Sequence, residues 1–242
     1  MAKAGDGRLI PALAVLLAVL VGIVLAVPEL RGRLMALAGL QRGPLAGVDL
    51  DAPIGGPFTL VDEQGRTVRD TDFRGRYMLV FFGYASCPDV CPLTLLNVSR
   101  GLEMFAHDDP VRARLVQPVF ITVDPARDTP EALRAFHQNF DPRIRMLTGS
   151  PQAIARTAAQ YGVEFRKVED PRVEGYLMEH TAFIFLMDRA GRYLTHLPSD
   201  AQPGLIRLAL DNRVCREIEG GPLDEACLAA ARAMAGTGPA AE

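Results

Sequence analysis

Two cysteines separated by three residues are the part of this sequence best suited to chemistry. Cys87 and Cys91 follow an apolar, strand-like run, Tyr77 to Tyr84, and precede a run with apolar residues at helical spacing, Leu93 to Phe105. The first N–H groups of a helix lack internal acceptors and its dipole is positive there, so a thiolate at such a junction is stabilised. We therefore expect the pKa of these thiols to fall.

Cysteine pairs with a low pKa either exchange electrons with other thiols or bind soft metals. In dithiol exchange Cys87 would be the nucleophile and Cys91 the resolving thiol, and a peroxide or redox sensor would use the same groups. A structural disulfide is a further alternative, which the position at a helix start argues against. Thioredoxin-type oxidoreductases place two residues between their cysteines, whereas three stand here. A closed zinc site would need a fourth ligand, and Cu(I) prefers few soft ligands.

The length and composition restrict the number of domains and the classes of partner that this chain can have. With 242 residues, about half of them hydrophobic, the chain can form one ordinary domain and an appendage. The formal net charge is −3, and acidic and basic residues alternate without a dense Lys/Arg block. Because nucleic-acid binding needs a concentrated positive surface, the sequence does not favour a nucleic-acid partner.

The N-terminal segment has the composition of a membrane helix. Leu9 to Val27 is a run of 19 residues without a charge, which as a helix reaches about 28 Å, close to the thickness of a bilayer core. A cleaved signal peptide is the alternative, since Val24-Leu25-Ala26 has small residues at the required spacing. We expect an uncleaved anchor at 1–28 and a linker rich in Gly and Pro at 29–49. Positive residues flank the run on both sides, so the downstream chemistry must decide that the domain is exported, to the periplasmic side or its equivalent.

Strand-like and helix-like segments alternate from about residue 50. A short hairpin, Phe58 to Val68, precedes the cysteine junction, and N-cap plus proline pairs at Thr129-Pro130 and Ser150-Pro151 each open a helix. A polar loop is predicted at Val168 to Glu179. Further strands are predicted at Val119 to Val123, Ile144 to Leu147, Thr181 to Met187 and Tyr193 to His196, and a last helix from Pro203. This order predicts an α/β fold of thioredoxin-like (peroxiredoxin-like) type, with a central sheet flanked by helices.

Three motifs resemble those of the Sco/SenC family. They are Phe82 to Pro92, Thr122 to Pro130 and His180 to Asp188, in the family's order and spacing. The similarity covers about 50–212, which we take as the domain; 213–242 is then a helical extension with a disordered tail. The resemblance implies a membrane-anchored, thioredoxin-fold copper metallochaperone that assists assembly of the binuclear copper centre of cytochrome c oxidase.

The resemblance also implies a ligand set. Cys87, Cys91 and His180 would bind one copper ion, Cu(I) or Cu(II). Asp124 would orient the site or meet a partner; the alternative is that it only caps the turn before Pro125. His180 directly precedes a strand, where thioredoxin-fold oxidoreductases carry a cis-proline that faces the cysteines. The expected partners are the copper-accepting subunit of cytochrome c oxidase, copper donor proteins and thiol reductants, with the membrane reached through the N-terminal helix.

The remaining candidate residues receive structural interpretations. Met178 is taken as an ordinary loop residue rather than a soft ligand, and Asp128 as a cap for Thr129-Pro130. Among the other histidines, His107 fits a helix C-terminus, His137 packs half-buried on a helix face, and His196 is solvated on an edge strand. Cys215 and Cys227 lie beyond the matched motifs, and in an exported domain we expect them to form a disulfide that holds a helical hairpin.

Overall fold

A computed structural model of the chain describes residues 54–170, 175–216 and 219–236. The predicted membrane helix, Leu9 to Val27, and the linker at 29–49 lie outside these ranges. The predicted tail lies outside them from residue 237 onward. None of the helices in the described ranges combines the length and the apolar character needed to cross a bilayer.

A mixed sheet of seven strands forms the centre of the fold. Its spatial order is β2-β1-β5-β4-β3-β8-β9, and strands β3, β4 and β5 run parallel while the other pairs are antiparallel. The strands of this sheet are β1 (Thr59–Asp62), β2 (Thr67–Arg69), β3 (Tyr77–Gly83), β4 (Val116–Thr122), β5 (Arg145–Thr148), β8 (Phe183–Met187) and β9 (Tyr193–Pro198). A separate antiparallel pair consists of β6 (Phe165–Val168) and β7 (Leu177–His180).

Six α-helices and a short 3-10 helix lie between or after these strands in the described ranges. They are a 3-10 helix (Asp70–Phe73), α1 (Val90–Asp108), α2 (Pro110–Ala113), α3 (Pro130–His137), α4 (Pro151–Gln160), α5 (Pro203–Arg213) and α6 (Glu225–Gly236). The alternation of parallel strands and helices agrees with the predicted thioredoxin-like class. The hairpin predicted from Phe58 to Val68 is confirmed as β1 and β2.

The two central strands owe their place to their composition. Every residue of β3 and of β4 is buried, so both faces of these strands are covered by other elements. Their register aligns Tyr77 with Val116 at one end and Gly83 with Thr122 at the other. An unbroken apolar run is typical of a parallel strand covered on both faces, which is why the sequence identifies these strands well.

The predicted helix starts are confirmed where a side chain caps the helix. The Thr129 and Ser150 hydroxyls accept hydrogen bonds from the backbone N–H groups of Ala132 and Ala153, and a proline follows each cap. The helix after the cysteines begins earlier than predicted, at Val90 rather than Leu93. Cys91 therefore lies inside the first helical turn instead of before it.

The predicted polar loop from Val168 to Glu179 is wrong at both of its ends. Val168 closes β6 and Leu177 opens β7, and the pairing places Phe165 opposite His180. The segment is mostly polar, and its edge-strand pairing depends on a partner strand that local sequence does not reveal. The consequence is functional, because His180 is the last residue of a strand rather than a residue of a flexible connection.

Candidate metal centre

The two free cysteines lie where strand β3 passes into helix α1. Cys87 is half-buried in the turn, and Cys91 is fully buried in the first turn of the helix. The backbone N–H of Cys91 donates to Cys87 Sγ over 3.5 Å. The helix start thus directs one of its free donors at the Cys87 sulfur, as expected for a thiolate at a positive helix end.

Gly83, the last residue of β3, makes room for this turn. A Cβ atom at this position would lie 3.0 Å from Cys91 Sγ and 2.9 Å from a ring carbon of Phe120. Any side chain would therefore push Cys91 away from the end of the strand. Glycine is required here for close approach.

His180 brings a third donor to the same place. Its Nε2 atom is 3.8 Å from Cys91 Sγ, and its Nδ1 atom is 3.0 Å from the carbonyl oxygen of Thr181. A carbonyl only accepts, so Nδ1 carries the proton and the Nε2 lone pair faces the thiol. Burial lowers the pKa of His180, although the Thr181 carbonyl and the charge of Cys87 oppose this. The imidazole is thus held neutral, the form that binds metals.

The donor spacing suits a shared ion. Sulfur and nitrogen ligands of a metal such as zinc lie about 2.3 and 2.0 Å from it, so two of them can be up to about 4.3 Å apart. The separation of 3.8 Å between Cys91 Sγ and His180 Nε2 falls within that range. Within the described ranges, however, no three His, Cys, Asp or Glu side chains converge closely enough to hold a metal ion. The donors are neighbours, but they do not form a closed cage.

The two thiols differ strongly in acidity. A hydrogen bond from the Cys91 thiol is the largest cause that lowers the pKa of Cys87 to about 5; burial opposes it, and the N–H groups of Cys91 and Asp89 and the Tyr84 hydroxyl contribute further. The same hydrogen bond, together with burial, raises the pKa of Cys91 above its usual range. The expectation that both values fall is therefore correct for Cys87 and wrong for Cys91, because one proton shared between two sulfurs stabilises only one thiolate.

Tyr84 connects the cysteines with the histidine. Burial, reinforced by the nearby cysteine charges, raises the pKa of Tyr84 to about 12, so the phenol stays protonated and can donate. Its ring lies edge-on to the His180 ring, with centroids 6.1 Å apart. Sequence analysis did not select Tyr84, although it stands only three residues before Cys87.

Asp124 is buried at the end of β4, and the contacts of its side chain lead toward the histidine strand. Its carboxylate accepts from the Tyr176 hydroxyl at 2.9 Å and from Arg127 Nε at 2.5 Å. Arg127 also donates to the Tyr176 carbonyl at 2.9 Å, with its guanidinium 3.9 Å from the centre of the Tyr176 ring. Tyr176 directly precedes β7, so Asp124 and Arg127 anchor the strand that ends in His180. Sequence analysis selected Asp124 but missed Arg127 and Tyr176.

Asp128 holds the cysteine turn, and its predicted role as a helix cap is wrong. Its carboxylate accepts from the Ala85 N–H at 2.9 Å and from the Thr122 hydroxyl at 2.6 Å, while Thr129 caps the helix. Burial raises the pKa of Asp128, partly against these hydrogen bonds. The sequence carries a signal in hindsight, since Thr129 before Pro130 already supplies the cap and leaves Asp128 free for another role.

The other candidate side chains lie in ordinary surroundings. Met178 is buried in β7 rather than in a loop, and His107 is almost fully exposed beside Asp108. His137 pairs with Glu63 at 3.5 Å. His196 was expected to be solvated, but it is half-buried, bonded to the Tyr193 hydroxyl at 2.6 Å and packed on Phe183.

The second cysteine pair is oxidised and shielded. A disulfide joins Cys215 and Cys227, which follow helix α5 and lie in helix α6, and both residues are buried. The Tyr77 hydroxyl accepts from the Cys215 N–H at 3.0 Å and lies 3.9 Å from Cys227 Sγ. Tyr77 opens the central strand β3, so the disulfide attaches the C-terminal extension to the sheet.

Comparison with known proteins finds relatives that match most of this chain. The model of the SCO1/SenC family matches residues 47–214. A SCO2-like protein of Rickettsia prowazekii is 36% identical over 176 residues, which cover 70% of this chain and 84% of the relative. Protein SenC of Rhodobacter capsulatus is 37% identical over 155 residues, covering 64% of this chain and 68% of that protein.

Solved structures agree with these sequence matches. Bradyrhizobium japonicum ScoI, determined with copper bound, is 40% identical, with a TM-score of 0.59 over 65% of this chain and 98% of that chain. Yeast Sco1 with copper bound is 30% identical, with a TM-score of 0.58 over 66% of this chain and 85% of that chain. The fold is therefore shared with these proteins.

Proposed function

The chain belongs to the SCO1/SenC family, and we propose that it is a copper metallochaperone that binds one copper ion through Cys87, Cys91 and His180. The contact between Cys91 Sγ and His180 Nε2, with the imidazole proton fixed on Nδ1, is the observation that carries the proposal. It supplies a sulfur and an unprotonated nitrogen to one point, beside the second sulfur of Cys87.

The chemistry of these donors favours copper over zinc or a hard cation. Thiolate and imidazole are soft or borderline ligands, and Cu(I) accepts two or three of them, whereas structural zinc takes four. The relatives solved with copper bound, from Bradyrhizobium japonicum and yeast, support the same cargo.

Binding must displace a proton. Cys87 is already a thiolate near neutral pH, since its pKa is lowered to about 5, whereas Cys91 keeps its proton. Copper taken up first by Cys87 would replace the proton shared with Cys91, and the positive ion would then stabilise the second thiolate. The neutral imidazole of His180 can complete the ligand set without losing a proton.

The proposed partners are inferred from membership of the SCO1/SenC family. The chain would receive copper from a donor protein and pass it to the copper-accepting subunit of cytochrome c oxidase, in assembly of its binuclear centre. The predicted N-terminal helix would anchor the domain at 50–212 beside this membrane client, with the domain exported. An exported location suits a chain in which one cysteine pair is oxidised.

A second candidate function is thiol:disulfide exchange, and the unequal acidity of the thiols favours it. Cys87 has the low pKa and partial exposure of an attacking thiolate, whereas buried Cys91 with its raised pKa is placed to resolve a mixed disulfide. Such an enzyme would reduce the client's cysteines before they accept copper.

The test is a Cu(I) competition titration on the full chain in nonionic detergent, reduced and without oxygen. The wild type should bind one copper per chain, and His180→Ala should weaken binding about 100-fold, as expected for loss of a ligand. His107→Ala, which removes an exposed histidine, is the matched control and should leave the affinity unchanged. The same variants are then assayed for reduction of a disulfide-bonded peptide.

The variant His180→Ala distinguishes copper binding from thiol:disulfide exchange. Weaker copper binding in His180→Ala, with peptide reduction preserved, supports the copper site as proposed. Copper binding equal to that of the wild type in His180→Ala would contradict the three-ligand site and leave dithiol exchange as the better account.

A further inference from the structure

A cavity opens at the amino ends of the parallel strands, at the edge of the sheet away from the cysteines. Its volume is about 520 Å³, and four arginines line it: Arg76, Arg114, Arg143 and Arg145. Arg76 directly precedes β3, Arg114 comes shortly before β4, and Arg145 opens β5. Strands that begin side by side thus bring together residues that are far apart in the sequence.

The cavity wall carries more positive than negative charge. Arg143 pairs with Asp141 at 2.6 Å and Arg145 with Asp62 at 2.9 Å, so two of the guanidinium groups are neutralised. The Arg76 side chain donates only to the amide oxygen of Gln117, and the Arg114 side chain has no ion-pair or hydrogen-bond partner in the described part of the chain. About two positive charges therefore remain without a carboxylate partner.

The wall is also ordered by buried contacts. The Gln117 side chain is buried; its Oε1 accepts from Arg76 at 3.0 Å, and its Nε2 donates to the carbonyl oxygen of Arg143 at 2.7 Å. The Gln117 amide thus holds both the Arg76 side chain and the backbone at Arg143.

We propose that this cavity binds a phosphate-type anion, whose negative charge balances guanidinium groups that have no carboxylate partner on its wall. Arginine is suited to this ligand because its planar fork donates two parallel hydrogen bonds to phosphate oxygens. The source is either a free phosphate compound or the headgroup of an anionic lipid, since both present the same oxygens. The affinity depends on Arg76 and Arg114, which have no protein carboxylate to compete for them.

This site is independent of the proposed copper chemistry. The register from Tyr77 to Gly83 spans all of β3, and seven residues of strand measure roughly 20 Å. The cavity lies at the Tyr77 end and the cysteines at the Gly83 end. Ligand binding in the cavity can therefore be measured whether or not copper binding is established.

The experiment is calorimetric titration of the full chain in nonionic detergent and a buffer free of phosphate. The probes are sodium pyrophosphate, for a free anion, and glycerophosphoglycerol, the water-soluble headgroup of phosphatidylglycerol. Wild type is compared with Arg76→Gln/Arg114→Gln and with the control Arg100→Gln/Arg232→Gln, which removes the same charge from exposed positions elsewhere. Circular dichroism verifies that each variant is folded.

We expect one probe to saturate the wild type and to bind about tenfold more weakly to Arg76→Gln/Arg114→Gln, with little change in the control. Tighter binding of pyrophosphate identifies a free phosphate compound as the source, and tighter binding of glycerophosphoglycerol identifies a headgroup. The proposal is overturned if neither probe saturates the wild type below about 10 mM, an affinity of under 3 kcal/mol. It is also overturned if both double variants weaken binding equally, because the loss of affinity would then be due to the change in net charge alone.

Discussion

The two cysteine pairs of this chain have opposite surroundings. Cys87 and Cys91 remain free at a strand-to-helix junction, one half-buried and one buried, with a histidine and a helix start directed at them. Cys215 and Cys227 are both buried and joined, and their neighbour is the hydroxyl of Tyr77. A cysteine pair is therefore reactive where neighbouring groups can stabilise a thiolate. A pair that is shielded from solvent and lacks such neighbours stays inert.

Loss of a ligand cysteine should give the largest effect that separates the pairs. Structural zinc sites gain about 10–16 kcal/mol from four ligands, or about 2.5–4 kcal/mol for each, so Cys91→Ser should weaken Cu(I) binding by several hundred-fold, on the order of 10² to 10³. The double variant Cys215→Ala/Cys227→Ala should bind copper as the wild type does. Competition titration measures both. If the second variant lost copper as well, the two pairs would share one function and the comparison would fail.

Removal of the disulfide should destabilise the fold without affecting the proposed copper site. The bridge closes a loop with a sequence separation of 12, and a loop of this size contributes about 3 kcal/mol in the chain-entropy account. Urea unfolding of Cys215→Ala/Cys227→Ala should show this loss. The matched variant Cys87→Ala/Cys91→Ala should unfold close to the wild type. Free thiols at Cys215 and Cys227, detected by alkylation without reductant, would remove the basis of the prediction.

The two free cysteines, Cys87 and Cys91, should react with an alkylating agent at different rates. A thiol with a pKa of about 5 is almost wholly thiolate at pH 7, whereas an ordinary cysteine is only about 3% thiolate. Cys87 should therefore be alkylated by iodoacetamide first, with buried Cys91 far slower. Because the pKa of Cys87 is lowered, its reactivity should persist at neutral pH and fall as the pH drops through about 5. Peptide mapping after brief labelling measures each site, and equal labelling would mean that no shared proton separates the thiols.

Each pair depends on one partner outside its own loop, and for the free pair it is Asp128. Its carboxylate holds the Ala85 N–H and so the turn that carries Cys87. Asp128→Ala should lower copper affinity about tenfold, in the range found for groups that orient metal ligands. Asp108→Ala, which removes an exposed carboxylate, is the control. An unchanged affinity in Asp128→Ala would show that the turn holds its shape without this bond.

For the oxidised pair the corresponding partner is Tyr77. Tyr77→Phe removes the acceptor of the Cys215 N–H, which should cost about 1–2 kcal/mol for an unsatisfied buried donor. Copper affinity should not change. Urea unfolding measures the first effect, and Tyr193→Phe, at the edge strand, gives a comparison for loss of a hydroxyl. A stability equal to the wild type would mean that the disulfide alone attaches the extension.

Some of the site was predictable because its signals are local. Cys87 and Cys91 stand together, and an apolar run followed by a helical pattern locates them at a strand end. His180 was identified because the motif containing it resembles those of a known family. The caps at Thr129 and Ser150 were predicted because an N-cap residue followed by proline acts within a single turn.

The supporting residues could not be found in the same way. Asp128, Arg127 and Tyr176 act on groups as far as 52 positions away, such as the Asp124 carboxylate bound by the Tyr176 hydroxyl. Side-chain contacts of this kind depend on which strands are neighbours. The second sheet, β6 and β7, was missed for the same reason, since a polar edge strand has no periodicity that distinguishes it from a loop.

The sequence by itself determined the fold class, the central strands, the helix starts capped by Thr129 and Ser150 and the cysteines that can do chemistry, because these features depend on residue type and short-range spacing. Only the tertiary structure decided that the two thiols differ in acidity, since that difference arises from one hydrogen bond and unequal burial. It also brought four arginines from separate segments to one cavity, in a chain whose sequence contains no dense basic block. The physical reason is common to both cases: pKa values and binding surfaces depend on distances in space, which sheet pairing fixes and sequence distance does not.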